Sequence, residues 1–296
     1  SKMLTKDVLT VFRGRGDEVR VYPISFKEYY SSIGGDKSEA YEEYALYGGM
    51  PLVFSKRTDA DKMVYLQSLF TEVYFKDISE RYDIELTDVL EELTDDLCSS
   101  IGSLTNASKI SNTLKSIKGI SVSGTTVSNY LGYLTESFLF SNAKRYDIKG
   151  KKYFEYPSKY YCTDIGLRNA RLNFRQQEET HIMENIVYNE LLIRGYNVDV
   201  GVVQIFDKDK EGKRVRKQLE VDFVVNQGNQ RYYIQVAYDM TSEEKQNQEF
   251  NSLRNIPDSF KKVVIVNGSK RPWRNDEGFV IMGMKYFLLN ADSLEF

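Results

Sequence analysis

The chain has 296 residues, 41% hydrophobic and 28% charged, with a net charge of −3. That length predicts two or more domains, and the composition is that of a soluble globular protein. No apolar run approaches the ~20 residues needed to span a bilayer, and the acidic balance gives no whole-chain signature of nucleic-acid binding. A single histidine, His181, excludes a histidine-rich metal site, and Cys98 and Cys162 lie too far apart in sequence to form a metal or redox motif. A reducing, cytoplasmic setting is expected.

Ser1-Lys-Met-Leu4 opens directly into a helical pattern, without a cap, and reads as the interior of a longer protein. Arg13-Gly-Arg-Gly-Asp17 is a turn, and the alternation in Glu18-Val-Arg-Val-Tyr22 predicts a strand stopped by Pro23. Ser25 with Glu28 forms a capping-box pattern. Residues 36–100 are helical in character, broken at Gly48-Gly-Met-Pro51. Helices are expected from 105 to about 116 and over 125–134, where Val127, Tyr130, Leu131 and Leu134 follow the helical spacing. Phe138–Phe140 and Lys152–Tyr156 then read as two strands around Asp147-Ile-Lys-Gly150. Helix, turn, helix, β-hairpin is the order of a winged helix.

A helix is expected from His181 to about Arg194, closed by Gly195. A strand follows over 196–206, with a bulge at Gly201. Next come the basic loop 208–217 and the hairpin formed by Leu219-Glu-Val-Asp-Phe-Val-Val225 and Tyr232-Tyr-Ile-Gln-Val-Ala237. A helix over 243–253 and strands at 262–266 and 278–284 complete a mixed-sheet α/β layer.

Three groups of residues are candidates for chemistry. The first is the hairpin. Metal-dependent nucleases of the restriction-endonuclease fold place Asp, then Glu-x-Lys, on such strands. Here Asp222 is present, but Gln235 and Ala237 stand where the Glu and Lys would be. Glu184 and Glu190 of the 181–194 helix, and Glu220 on the same strand as Asp222, could add carboxylates. Without the second acid and the lysine, Glu184, Asp222 and Gln235 form a degenerate site, and no metal is expected. The plainer reading makes these acids structural. The second group is Thr125, Thr126, Ser128 and Asn129 at the start of a recognition-like helix, with Lys149, Lys151 and Lys152 on the wing; it suits DNA. Equally, the helix pair could be a protein-docking module. The third is Arg13 and Arg15 on their Gly turn. His181 and Glu184 form a helix-surface pair.

Several segments, in order, resemble one family. Phe12-Arg-Gly-Arg-Gly-Asp-Glu-Val-Arg-Val-Tyr-Pro-Ile-Ser-Phe-Lys-Glu28 resembles the end of the ATPase core of prokaryotic AAA-type ATPases. Tyr44-Ala-Leu-Tyr-Gly-Gly-Met-Pro51 is similar to their Gly-Gly-x-Pro segment. Residues 160–168, 183–191, 220–223 and 233–237 resemble the domain of unknown function that follows that core. The resemblance implies an upstream P-loop that this sequence does not contain. It also implies a nucleotide-sensing role for Arg13 or Arg15, and a restriction-endonuclease-like (PD-(D/E)XK) fold at the C-terminal end.

The expected organisation is therefore a remnant of the ATPase core (1–35), a helical linker (36–100), a winged-helix domain (101–175) and a nuclease-like α/β domain (176–296). The expected function is recognition or regulation within an AAA-type ATPase, without nuclease activity and without a cofactor in this chain; ATP and Mg belong to the full-length protein. A divalent-metal nuclease and a protein-interaction module are the alternatives. Expected partners are DNA or protein and the upstream ATPase domain, with no membrane.

Overall fold

The structure, a computed structural model, describes residues 19–175, 178–208 and 211–296. Arg13 and Arg15 lie outside the described residues. The helices are α1 (Phe26–Ile33), α2 (Lys37–Tyr47), α3 (Asp59–Ser68), α4 (Lys76–Arg81), α5 (Thr87–Ser99), α6 (Ala107–Thr113), α7 (Gly124–Glu136), α8 (Ile165–Arg171), α9 (Glu179–Ile193), α10 (Glu243–Arg254) and α11 (Met284–Leu289). The strands are β1 (Leu104–Thr105), β2 (Phe140–Ala143), β3 (Arg145–Asp147), β4 (Lys152–Tyr153), β5 (Ser158–Cys162), β6 (Asn197–Lys208), β7 (Arg214–Gln227), β8 (Gln230–Ala237), β9 (Lys261–Val266), β10 (Trp273–Arg274) and β11 (Val280–Gly283). The fold is mixed α+β and divides into two units, neither continuous in sequence. No described helix is long and apolar enough to cross a membrane.

The first unit holds residues 19–25, 42–142 and 160–175. Its core is helical: Leu90, Leu93 and Leu97 of α5 pack with Val127, Leu131 and Leu134 of α7. The 3–4 spacing of these residues puts them on one stripe of each helix. Caps fix the helix starts. Asn106 accepts from the Ser108 and Lys109 N–H groups, and Ser123 from that of Thr126. A three-stranded sheet in the order β1-β5-β2 completes the unit.

Two sequence segments meet there. Gly49 N donates to Asp164 Oδ2 at 2.7 Å, and Leu167 N donates to Asp164 Oδ1 at 3.0 Å, so Asp164 caps α8 and holds the Gly48-Gly49 turn together. A Cβ at Gly166 would lie 2.0 Å from the Tyr47 carbonyl oxygen, and one at Gly49 would lie 2.1 Å from that of Ile24. These glycines are required by backbone-to-backbone approach. Cys98 and Cys162 are fully buried in this unit, and burial pushes the Cys162 thiol up to about 12. Neither thiol should react with a water-soluble disulfide reagent until urea unfolds the protein; rapid labelling of the native protein would contradict this packing.

The second unit holds residues 26–41, 143–159 and the described residues from 178 onward. Its sheet has eight strands in the order β10-β11-β9-β8-β7-β6-β3-β4. β6-β7 and β7-β8 are antiparallel; β8-β9, β9-β11 and β3-β6 are parallel. Helices flank both faces, because neighbouring residues of β7 point opposite ways. Phe223 meets Tyr188 of α9, whereas Val224 joins Phe250 and Leu253 of α10.

The segments 138–140 and 152–156, expected as a winged-helix hairpin, behave otherwise. β3 pairs with both β4 and β6, so the basic turn over 148–151 belongs to the large sheet of the second unit, whereas α7 belongs to the first. The backbone groups of Arg145–Asp147 are satisfied by β6, a partner some 50 residues later that local patterning does not announce. Residues 19–22, where a strand is expected, form none, and Val19 and Val21 are exposed. β5, α8 and α11 were not evident in the sequence; each is short and largely buried, so no amphipathic period marks it.

Candidate functional site

β7 and β8 carry the hairpin residues. From Gly201 to Asp199 β6 takes two steps, whereas the partnered β7 takes three, from Val221 to Val224. The irregularity expected at Gly201 therefore places its extra residue in β7, at Asp222 and Phe223. A bulge of this kind re-aims a side chain. A Cβ on Gly201 would meet Val221 and Val224 at 2.9 Å, so only glycine allows the strands to close over it.

Asp222 is buried, and its Oδ2 accepts the Val236 N–H at 2.8 Å. Its own N–H donates to Gln235 Oε1 at 3.4 Å, and Gln235 Nε2 donates to Glu249 Oε2 of α10 at 3.1 Å. Glu184 of α9 is buried beside them. The structure thus brings Glu184, Asp222 and Gln235 together. It does not add Glu190. That residue pairs with Arg194 at 2.7 Å, and Arg194 also donates to Ala291 O and Ser293 Oγ, so the pair ties α9 to the C-terminal segment. His181 lies 4.0 Å from Glu178, and Glu184, expected as its partner on the helix surface, is buried against Lys159 instead of exposed.

The decisive residue is one the sequence did not single out. Lys159, at the start of β5, is 4% exposed, and its Nζ lies 3.0 Å from Glu184 Oε1 and 2.7 Å from Glu220 Oε1. Burial alone would favour neutral lysine; Glu184, Asp222 and Glu220 outweigh it and hold the ammonium pKa above its ordinary value. Burial and the Glu184 charge push the Asp222 carboxyl well up, against the pull of Lys159 and the Val236 N–H. Burial also raises Glu249. A lysine leading into the apolar strand Tyr160-Tyr161-Cys162 is the only local signal it offers.

This donor set does not fit a divalent cation. Lys159 already holds Glu184 Oε1 and Glu220 Oε1, Asp222 Oδ2 takes the Val236 N–H, and Gln235 brings a neutral oxygen where a metal wants a carboxylate. Among the described residues no three His, Cys, Asp or Glu side chains are placed to hold a metal ion. Ala237, where an active nuclease has its lysine, is buried in the core with Phe250 and Leu253. The cluster sets one cation against three carboxyls, one of which favours its proton.

The other candidate residues fall in two places. Thr125 and Asn129 are exposed on α7 in the first unit, while Thr126 and Ser128 are half-buried, with Thr126 bonded to the Ser123 cap. Lys149, Lys151 and Lys152 are exposed on the β3–β4 turn in the second unit, where Lys149 Nζ donates to Gln204 O at 3.0 Å.

Residues 38–178 match the family model described as "Domain of unknown function (DUF8612)", and residues 179–287 match that described as "Domain of unknown function (DUF4143)". The chain carries two domains of unknown function. An uncharacterized protein of Haemophilus influenzae is 34% identical over 270 residues, covering 90% of this chain and 63% of that protein. Uncharacterized protein MJ1544 of Methanocaldococcus jannaschii is 27% identical over 294 residues, covering 94% of this chain and 62% of that one. The chain therefore spans less than two thirds of either relative. A crystal structure of protein VC1899 from Vibrio cholerae aligns over 70% of this chain and 55% of its own, at 15% identity and a TM-score of 0.26, too low to bear on the fold. Glu184, Glu220, Asp222, Gln235 and Glu249 all belong to the DUF4143 match. Lys159 comes from the last part of the DUF8612 match.

Proposed function

We propose that this chain is the recognition or regulatory part of an AAA-type ATPase, built on a nuclease-like scaffold that does not cut. The observation that carries the reading is the buried Lys159 ammonium bridging Glu184 and Glu220 beside Asp222. Hydrolysis of a phosphodiester on such a scaffold needs carboxylates free to ligate a metal that activates water. Here Glu184 and Glu220 are each already held by Lys159. The Phe12–Glu28 and Tyr44–Pro51 segments support the ATPase link, and the greater length of both relatives accommodates an upstream nucleotide-binding core. ATP and Mg would act there, with Arg13 or Arg15 sensing the nucleotide.

Supercoiled plasmid incubated with Mg²⁺ or Mn²⁺ should remain unnicked. Metal-dependent nicking that disappears in Asp222→Ala would overturn the reading. One observation favours that alternative: Glu249 sits against Gln235 and could return the missing carboxylate from α10. A nicking activity that required both Asp222 and Glu249 would establish the nuclease instead.

A further inference from the structure

We propose that the second unit carries a binding face for single-stranded nucleic acid on the outer part of the β6–β7 ribbon. β6 and β7 stay paired from Val203↔Leu219 out to Lys208↔Arg214, whereas β8 pairs with β7 only from Phe223 onward. The outer ribbon is thus two-stranded there. The cross-strand pairs Phe206↔Arg216 and Gln204↔Gln218 place these four residues on one face. Phe206 is 65% exposed, and the Arg214 guanidinium sits 3.9 Å from its ring centre.

Beside this face lies a depression of about 630 Å³ lined by Lys152, Phe154, Gln204, Arg216, Lys217 and Gln218. Among the described residues its lining holds three cations and no carboxylate. Two acids border it: Asp147 Oδ2 accepts from Gln204 Nε2 at 3.2 Å, and Asp207 lies 3.7 Å from Lys217 on the exposed ribbon.

A second observation points to an anion independently of the surface charge. Arg145 is 9% exposed, donates from Nη2 to Gln218 Oε1 at 3.0 Å and lies 5.1 Å over the Phe154 ring. Its Nε has no hydrogen-bond partner, and among the described residues it has no carboxylate partner. A buried donor without a partner is costly. Here it sits directly against Gln218 and Phe154, two lining residues of the depression, where its charge adds to the attraction for an anion.

Cations spaced along a ribbon meet successive phosphates, and an exposed ring offers a platform for an unstacked base. A lone phosphate uses neither feature in full, and a duplex keeps its bases stacked on one another. The exposed Lys151 and Lys152 of the adjoining turn extend the face. None of this depends on whether the acid cluster cuts.

The test is fluorescence anisotropy of a short fluorescein-labelled oligothymidylate across a salt series, with the matching duplex and phosphatidylserine vesicles as comparisons. Gel analysis of the same samples scores cleavage separately. The single strand should bind. Replacing Arg214 and Arg216 together by Gln should reduce the steepness of log affinity against log salt by about 1.4, two phosphate contacts at roughly 0.7 each. Phe206→Ala should weaken binding about tenfold at fixed salt, the loss of one base stack. All three substitutions are at exposed positions, and circular dichroism checks that the variants fold. No binding, unchanged binding in both variants, equal affinity for duplex, or preference for the vesicles would each overturn the proposal.

Discussion

Lys159→Ala should be among the most damaging single substitutions in the second unit, costing about 3–5 kcal/mol of unfolding free energy at neutral pH. The Lys159 and Glu184 side chains are 5% and 10% exposed, and Asp222 is buried. Removing the ammonium leaves these carboxylates facing one another out of water. The pair itself is not the source of the effect; the stranded charges are. Lys159→Met combined with Glu184→Gln should therefore recover much of the loss. Asp222, already raised by burial and the Glu184 charge, loses the opposing pull of Lys159, so its folded-state pKa rises further in Lys159→Ala. Stability associated with groups shifted upward is present below their unfolded pKa and is lost as pH rises through the folded value. The deficit should accordingly shrink as pH is lowered from neutral. Mn²⁺ or Mg²⁺ should also stabilise Lys159→Ala and leave the parent protein unmoved, because only the variant frees the Glu184 and Glu220 oxygens that Lys159 holds. Urea unfolding would decide it: a loss near 1 kcal/mol, as for an exposed ion pair, would show that the cluster is not the buried assembly described.

Asp164→Ala should cost the first unit about 2–4 kcal/mol at pH 5. The helix cap on α8 contributes roughly 1 kcal/mol, and stranding the buried Gly49 and Leu167 N–H groups adds about 1–3 kcal/mol. The cost should be smaller at pH 8. Burial pushes the Asp164 carboxyl up to about 6, against the N–H groups of Gly49, Leu167 and Gly166, which favour its charge. A carboxyl raised from its unfolded value of 3.8 contributes stability in full below that value and loses it as pH rises through about 6. The parent protein should thus lose stability between roughly pH 4 and 6, and Asp164→Asn should flatten that slope. Thermal melts across this range would test both parts; a parent slope retained in Asp164→Asn would assign it to other groups.

Much of the secondary structure was legible because it is written locally. The 3–4 spacing of Val127, Leu131 and Leu134 specifies α7, and the apolar run Val221–Val225 with the Asn226–Asn229 turn specifies the β7–β8 hairpin. The identities of Asp222, Gln235 and Ala237 and their places on the hairpin were legible too, and the nuclease-like scaffold proposed above rests on them. The Gly48-Gly49 and Asp164-Ile-Gly166 segments were visible as motifs, but their purpose was not. They are two sides of one close approach, and neither side predicts the other.

What the sequence determined by itself is therefore the periodicity of the helices and strands, and which residue types stand on the hairpin. What only the tertiary structure decided is the company they keep. Pairing of β3 with β6 took the basic turn over 148–151 into the large sheet, and folding brought Lys159 from the start of β5 onto carboxylates that follow it by 25 residues or more. A strand's local pattern sets which way its side chains point. It carries no information about which distant strand lies alongside, and in a low-dielectric interior that neighbour decides which charges are neutralised.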